Sequence, residues 1–242
     1  MTKATTLYAH FTAKVLTVTL NARGGVVAKP TVQVTYAKTY SPILTPTRAG
    51  YTFNGWFTKA SGGTKVKSST KVTITSNQTL YAHWTAKKYK TSFNAAGGTS
   101  PKVGKKVTKS KTVTFGKKYG TLPKSTRTGY TFAGWWTDRT GGSKVAAATV
   151  VKTAAPVTLY AHWTAKAYTV KFDYRSGVVL KQSMTVRFGQ VYGDLPEPTR
   201  TGYTFAGWWT KASGGTEIKD STIVKITATQ TLYAHWTLGT GG

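Results

Sequence analysis

"GYTFAGWWT" occupies Gly129–Thr137 and recurs letter for letter at Gly202–Thr210, with a near copy, "GYTFNGWFT", at Gly50–Thr58. A second phrase travels with it: "TLYAHWT" at Thr79–Thr85, Thr158–Thr164 and Thr231–Thr237, and "TLYAHFT" at Thr6–Thr12. The Gly that opens the first phrase and the His of the second stand 33 residues apart each time: Gly50 to His83, Gly129 to His162, Gly202 to His235. Upstream spacing varies. It is 40 residues from His10 to Gly50 and from His162 to Gly202, but 46 from His83 to Gly129. A fixed period with one insertion means a tandem repeat. The insertion falls near "GGTSPKVGKKVTKSK", Gly97–Lys111. The expected division is a remnant of a preceding repeat (1–13), three repeats (Lys14–Ala86, Lys87–Ala165 and Lys166–Leu238) and a short tail (239–242).

Units of 73 to 79 residues are small for unassisted folding, and the chain has no Cys to staple them. The aromatic complement of 8 Trp, 14 Tyr and 9 Phe must supply the cores. The local pattern is nearly all strand. In "YTVKFD", Tyr168, Val170 and Phe172 alternate with Thr169, Lys171 and Asp173. Period two with β-branched and aromatic residues predicts a half-buried strand. A second strand is expected at "QSMTVRFG" (Gln182–Gly189), then a Pro- and Gly-rich loop, "VYGDLPEPTRTG", with room for one short helical turn. "YTFAGWWT" is the third strand. A Gly-Gly turn and a short apolar stretch, "TIVKIT", lead to the last strand, "TLYAHWT".

Taken together, "LPEPTRTGYTFAGWWT…GGTEI…TLYAHWT" resembles the Listeria–Bacteroides repeat, the B repeat of internalin B-type proteins. The resemblance covers essentially the whole chain. It implies a mainly β protein, α+β at most: small β-grasp-like domains of about four strands each, strung in tandem as an extended rod. It also implies a place in a bacterial surface protein, outside the cell or on its wall, with no catalysis and no cofactor. The chain opens on the closing phrase of a repeat, so a signal sequence and an anchor are expected outside this segment. No apolar run is long enough to span a membrane.

Strict alternation along the third strand sorts its side chains. Tyr130, Phe132, Gly134 and Trp136 fall on one face, Thr131, Ala133, Trp135 and Thr137 on the other. The Asn and Thr of the second face suggest that it is wet. Phe57, Trp136 and Trp209 are then expected in the core. Trp56, Tyr81 and His83 are expected along an outer face, as are Trp135, Tyr160, His162 and Trp208, Tyr233, His235. Such a stripe suits a sugar ring or a protein receptor. The alternative is structural: the Trp covers the sheet edge, or a bulge at Gly55, Gly134 or Gly207 turns both aromatics inward. The four histidines lie one per phrase, too far apart in sequence for a local metal set.

Charge is the other signal. The chain carries 34 Lys+Arg against 6 Asp+Glu, net +28. No acidic residue precedes Asp138. By repeat, basic and acidic residues number 9 and 0, 15 and 1, then 9 and 5. In the middle repeat Lys102, Lys105, Lys106, Lys109, Lys111, Lys117 and Lys118 crowd one hairpin region. A field of this sign attracts polyanions and is screened by salt. Teichoic acids, glycosaminoglycans and other anionic polymers are the expected partners. The absence of zinc-finger, helix-turn-helix and RNP patterns argues against specific nucleic-acid reading. Enzymatic function is disfavoured directly. The first repeat has no Asp, Glu or Cys, hence no carboxylate pair, no thiol nucleophile and no acid for a Ser–His triad.

Overall fold

A computed structural model describes residues 4–40 and 42–239. The first repeat contains β1 (Val15–Asn21), β2 (Thr31–Thr35), β3 (Tyr51–Phe57), β4 (Lys65–Val66) and β5 (Gln78–Ala86). The second contains β6 (Lys88–Asn94), β7 (Lys102–Val103), β8 (Lys106–Val107), β9 (Ser110–Thr114), β10 (Tyr130–Trp136), β11 (Lys144–Val145) and β12 (Val157–Ala165). The third contains β13 (Ala167–Asp173), β14 (Ser183–Arg187), β15 (Tyr203–Trp209), β16 (Glu217–Ile218) and β17 (Gln230–Leu238). No helix occurs among the described residues.

Each repeat is one mixed five-stranded sheet, in the orders β2-β1-β5-β3-β4, β11-β10-β12-β6-β9 and β14-β13-β17-β15-β16. Four strands are those the sequence pattern predicts. The fifth is a two-residue strand after the Gly-Gly turn, too short to leave a periodic signal. β1 pairs antiparallel with β2 and parallel with β5, while β5 runs antiparallel to β3. The last strand is therefore central, and the loop from β2 to β3 must cross one face of the sheet. In a β-grasp arrangement that crossover face needs a cover. Here the loop itself supplies it, without a helical turn.

Packing explains why the loop holds its place. Trp56, Trp135 and Trp208 lie under it, 2–3% exposed. Their indole N–H groups donate to the loop carbonyls of Leu44 (2.9 Å), Pro123 (2.7 Å) and Pro196 (2.7 Å). A buried indole needs a partner, and a loop carbonyl is the one in reach. The Trp of the second phrase does the same for the turn after the first strand: Trp84 donates to Ala22, Trp163 to Ala95 and Trp236 to Tyr174. Leu16, Val18 and Leu20 in repeat 1, and Val170 and Phe172 in repeat 3, complete the cores with Leu80, Ala82, Leu232 and Ala234.

Tyr40, Tyr119 and Tyr192 hold the other end of the crossover. Tyr40 and Tyr192 donate to Gln78 and Gln230 at the start of the last strand. Burial raises all three phenols above their ordinary value of 10.0.

By packing, the chain divides into two compact units. One contains repeat 1 and the chain on to Thr91, together with Thr112–Tyr119 and Ala148–Val157; the other contains Ser92–Lys111, Gly120–Ala147 and the chain from Thr158 through repeat 3. Ala4–Ala13 form no strand. Leu7 and Phe11, the apolar positions of "TLYAHFT", are exposed. The part of the expected remnant at residues 1–3 and the tail at 240–242 lie outside the described residues.

Candidate functional site

The outer aromatic face differs from its sequence-based expectation, and a bulge is the reason. Between Phe53 and Gly55 the register of β3 against β5 slips, and the same slip occurs at Phe132/Gly134 and Phe205/Gly207. The bulge glycines sit at φ 135, 126 and 126, a region that L side chains rarely adopt. One extra residue reverses the alternation for the rest of the strand. Trp56, Trp135 and Trp208 therefore point into the core instead of outward. Phe57, Trp136 and Trp209, expected in the core, are half-buried on the opposite face.

What that face presents is a stack. Phe57 lies on His83 with ring centroids 4.0 Å apart, Trp136 on His162 at 4.3 Å and Trp209 on His235 at 4.8 Å, each pair within 11° of parallel. Each His Nε2 bonds the backbone carbonyl of Lys59, Asp138 or Lys211 at 2.9–3.0 Å. These imidazoles are thus fixed to the loop beyond the stack. Tyr81, Tyr160 and Tyr233 are half-buried, and Tyr81 and Tyr233 register opposite Phe57 and Trp209. Of the nine expected stripe residues, the structure keeps the Tyr and His and exchanges the Trp for its neighbour.

The six-residue insertion is the hairpin β7–β8, a sheet of its own. Two strands of two residues have no core to hold them. The hairpin is instead tied at its base: Lys102 and Lys124 exchange two backbone hydrogen bonds of 2.8 Å, and Thr108 N–H donates to Pro101. Lys102, Lys105 and Lys106 on the hairpin are exposed, as is Lys109 beside it. Lys111 on β9 is half-buried, its Nζ 2.9 Å from the Thr121 carbonyl. Lys117 and Lys118 are exposed in the turn after β9, a segment of the other compact unit. A cleft of about 590 Å³ lies at the hairpin, lined by both Lys102 and Lys124. Lys124 was not singled out in the sequence, because only backbone pairing across 22 residues brings it to Lys102.

Sequence reasoning also passed over an arginine in the "TR" turn before the aromatic phrase of each repeat. The guanidinium of Arg48 lies 3.9 Å over the Tyr51 ring, Arg127 4.0 Å over Tyr130 and Arg200 3.9 Å over Tyr203. The signal was present as "TRAGY" and "TRTGY", recurring in register with the aromatic phrase. Among the described residues, no three His, Cys, Asp or Glu side chains come together in a group that could hold a metal ion. Among the described residues, no helix is long and apolar enough to cross a membrane.

The comparisons with known proteins agree on the repeat. The sequence model of the Listeria-Bacteroides repeat domain matches three times, at residues 17–83, 89–162 and 168–235. The chain is 38% identical over 112 residues to Internalin H of Listeria monocytogenes, covering 46% of this chain and 20% of that protein. It is 28% identical over 202 residues, and 26% identical over 242 residues, to two Evansella cellulosilytica proteins whose names assign them to the membrane, the first as glycine-rich. Those matches cover 78% and 98% of this chain but 22% and 35% of the relatives. The chain spans between a fifth and about a third of the length of these curated relatives.

Proposed function

The chain belongs to the Listeria-Bacteroides repeat domain family, and from that premise we propose that it is a non-catalytic tandem-repeat segment of a bacterial cell-surface protein. Its repeats act as a spacer, and its basic surface adheres to anionic polymers, teichoic acids and glycosaminoglycans among them, in a salt-sensitive manner. The naming of one relative as an internalin and of two as membrane proteins supports the surface location. The observation that carries the adhesive reading is the β7–β8 hairpin, which holds Lys102, Lys105 and Lys106 exposed on a tied loop.

Such binding releases counterions, so affinity falls linearly on a log–log plot against salt. The test is the whole chain with Lys102, Lys105, Lys106 and Lys109 changed to Gln, titrated against a polyglycerol phosphate, heparin and DNA at two salt concentrations. Binding weaker than that of the unaltered chain, with a shallower salt slope, is expected for all three polymers. Unchanged affinity, or indifference to salt in the parent, would refute the reading.

A second reading, a glycan- or protein-binding aromatic face, keeps one supporting observation. The half-buried Phe57–His83, Trp136–His162 and Trp209–His235 stacks recur in all three repeats. On that reading Trp136→Ala and Trp209→Ala remove binding while the lysine variant leaves it intact.

A further inference from the structure

A pair of arginines converges on one turn in repeat 1, and an equivalent pair does so in repeat 3. Arg23 leaves β1 with φ 48, its N–H held by Asn21 Oδ1 at 3.0 Å. Its Nη1 donates to the Ala60 carbonyl, near the Gly-Gly turn. Arg48 arrives from the crossover loop and lies beside Gly24, where a β-carbon would stand 3.4 Å from Nη2. In repeat 3, Arg175 has φ 48, its N–H bonds Asp173 Oδ1 at 3.0 Å and its Nη1 donates to Ala212 at 2.7 Å. Arg175 and Arg200 line one cleft of about 480 Å³ with Tyr203 and His235. The middle repeat departs here: Ala96 takes the left-handed position, φ 47, on Asn94 Oδ1, so no arginine stands there beside Arg127. Arg139 replaces the Ala60 and Ala212 of the other repeats, but its guanidinium lies 5.7 Å over the Tyr160 ring.

The left-handed backbone is not the signal, since Ala96 shares it; the Asn or Asp two residues back stabilises it. The signal is the second guanidinium. Two like charges brought to one cleft repel each other. Each is steadied by a carbonyl or an aromatic ring, and a guanidinium has five donors, so several remain for a ligand. Planar donor forks match an oxyanion in bidentate fashion. Repeat 1 contains no carboxylate to occupy them, and in repeat 3 Asp173 Oδ1 accepts from the backbone.

We propose that the arginine pair, set in a cleft in repeat 3 and at the matching turn in repeat 1, is an oxyanion-binding site for a sulfate or phosphate ester group, incomplete in repeat 2. The inference rests on the polyanion reading for the kind of ligand, but it reverses the ranking of the repeats. Lysine density favours the middle repeat; the arginine pair favours its neighbours.

The test is NMR of the arginine side-chain N–H groups in the whole chain, titrated with inorganic sulfate and inorganic phosphate at constant ionic strength. Saturable shifts are expected at Arg23, Arg48, Arg175 and Arg200, and none at Arg127. Arg23→Ala with Arg175→Ala, the residue that repeat 2 already carries there, lowers affinity at least about tenfold. Ala96→Arg creates a saturable response at Arg127. A sulfated disaccharide and a glycerol phosphate oligomer then separate the sources, and the ester that binds more tightly identifies the group. Linear shifts matched by chloride, or an Arg127 response equal to the pairs in the unaltered chain, overturn the proposal. In the lysine variant the arginine response persists. If it disappears with the lysines, the site proposal fails while the polyanion reading stands. If polymer binding ignores the lysines while the arginine shifts saturate, the lysine reading fails instead.

Discussion

Trp135 and Trp136 are adjacent, chemically identical and unequal in their structural roles. Trp135 is 2% exposed and donates to the crossover loop, while Trp136 lies on His162 on the other face. Replacing a buried Trp by Ala removes its transfer free energy, leaves a cavity and here also orphans a loop carbonyl. Trp135→Ala is expected to cost about 3–5 kcal/mol. Trp136→Ala, which removes a half-buried ring, is expected to cost about 1 kcal/mol. Hydrogen exchange at β10 and β12 during mild denaturation reads both losses within the repeat concerned. Equal losses would contradict the assignment of faces. This inequality was invisible to strict alternation: a strand pattern reports which residues alternate, and a bulge decides where the alternation reverses.

At the scale of the element, the bulge depends on glycine. At Gly134 the φ of 126 is strained for any L side chain, and a β-carbon would come within 3.0 Å of Lys144 Cε. Gly134→Ala is expected to cost about 1–3 kcal/mol, the range for a residue forced into a sparsely populated backbone region. Because the bulge is what turns Trp135 inward, the variant should also alter Trp135 fluorescence and weaken exchange protection in β10. An alanine variant with unchanged stability and spectrum would show that the bulge is not glycine-dependent. The strands themselves were legible, since "YTVKFD" and "TLYAHWT" carry period two and their Val170, Phe172, Leu232 and Ala234 are buried as that period requires. The hairpin β7–β8 was legible as an insertion of lysines but not as a tied loop. Its anchor, the Lys102–Lys124 backbone pair, is a non-local contact with no local signature.

At the scale of the whole chain, successive repeats are joined by more than the two residues "AK" at Ala86–Lys87 and Ala165–Lys166. Lys87 N–H donates to Gly50 at 2.9 Å while its carbonyl accepts from Phe115 at 3.0 Å, and Lys166 makes the same two bonds with Gly129 and Phe188. Phe115 meets Tyr51 edge-on at 5.5 Å, and Phe188 meets Tyr130 likewise. Gly50 and Gly129 lie directly against those phenylalanine rings, with no space for a β-carbon, whereas nothing lies within 4 Å of the equivalent point at Gly202. The glycine that opens "GYTF" thus packs against a phenylalanine of the following repeat at Gly50 and at Gly129. Phe115→Ala with Phe188→Ala should leave each sheet folded yet split a single denaturation transition into several. Gly129→Ala should lower stability more than Gly202→Ala does, because only at Gly129 does a phenylalanine ring occupy the place of the β-carbon. Calorimetry on the whole chain checks both. An unchanged, single transition in the double phenylalanine variant would show that the joint carries no coupling.

The repeat, its period, the strand-rich class, the family and the excess of positive charge were all determined by sequence alone. Each is a property of residue order or count: identical phrases at a 33-residue spacing, alternation of Tyr168, Val170 and Phe172, and 34 basic against 6 acidic residues. Only the tertiary structure decided which Trp faces the core and which charges share a cleft. A one-residue bulge at Gly55, Gly134 or Gly207 inverts a face without changing composition or hydrophobic content. Arg23 and Arg48, or Arg175 and Arg200, stand 25 residues apart and are brought to one turn only because the crossover loop returns to the end of the first strand. Local pattern carries no information about such a return. It is set by the indole hydrogen bonds of Trp56, Trp135 and Trp208, which hold the loop down on the sheet.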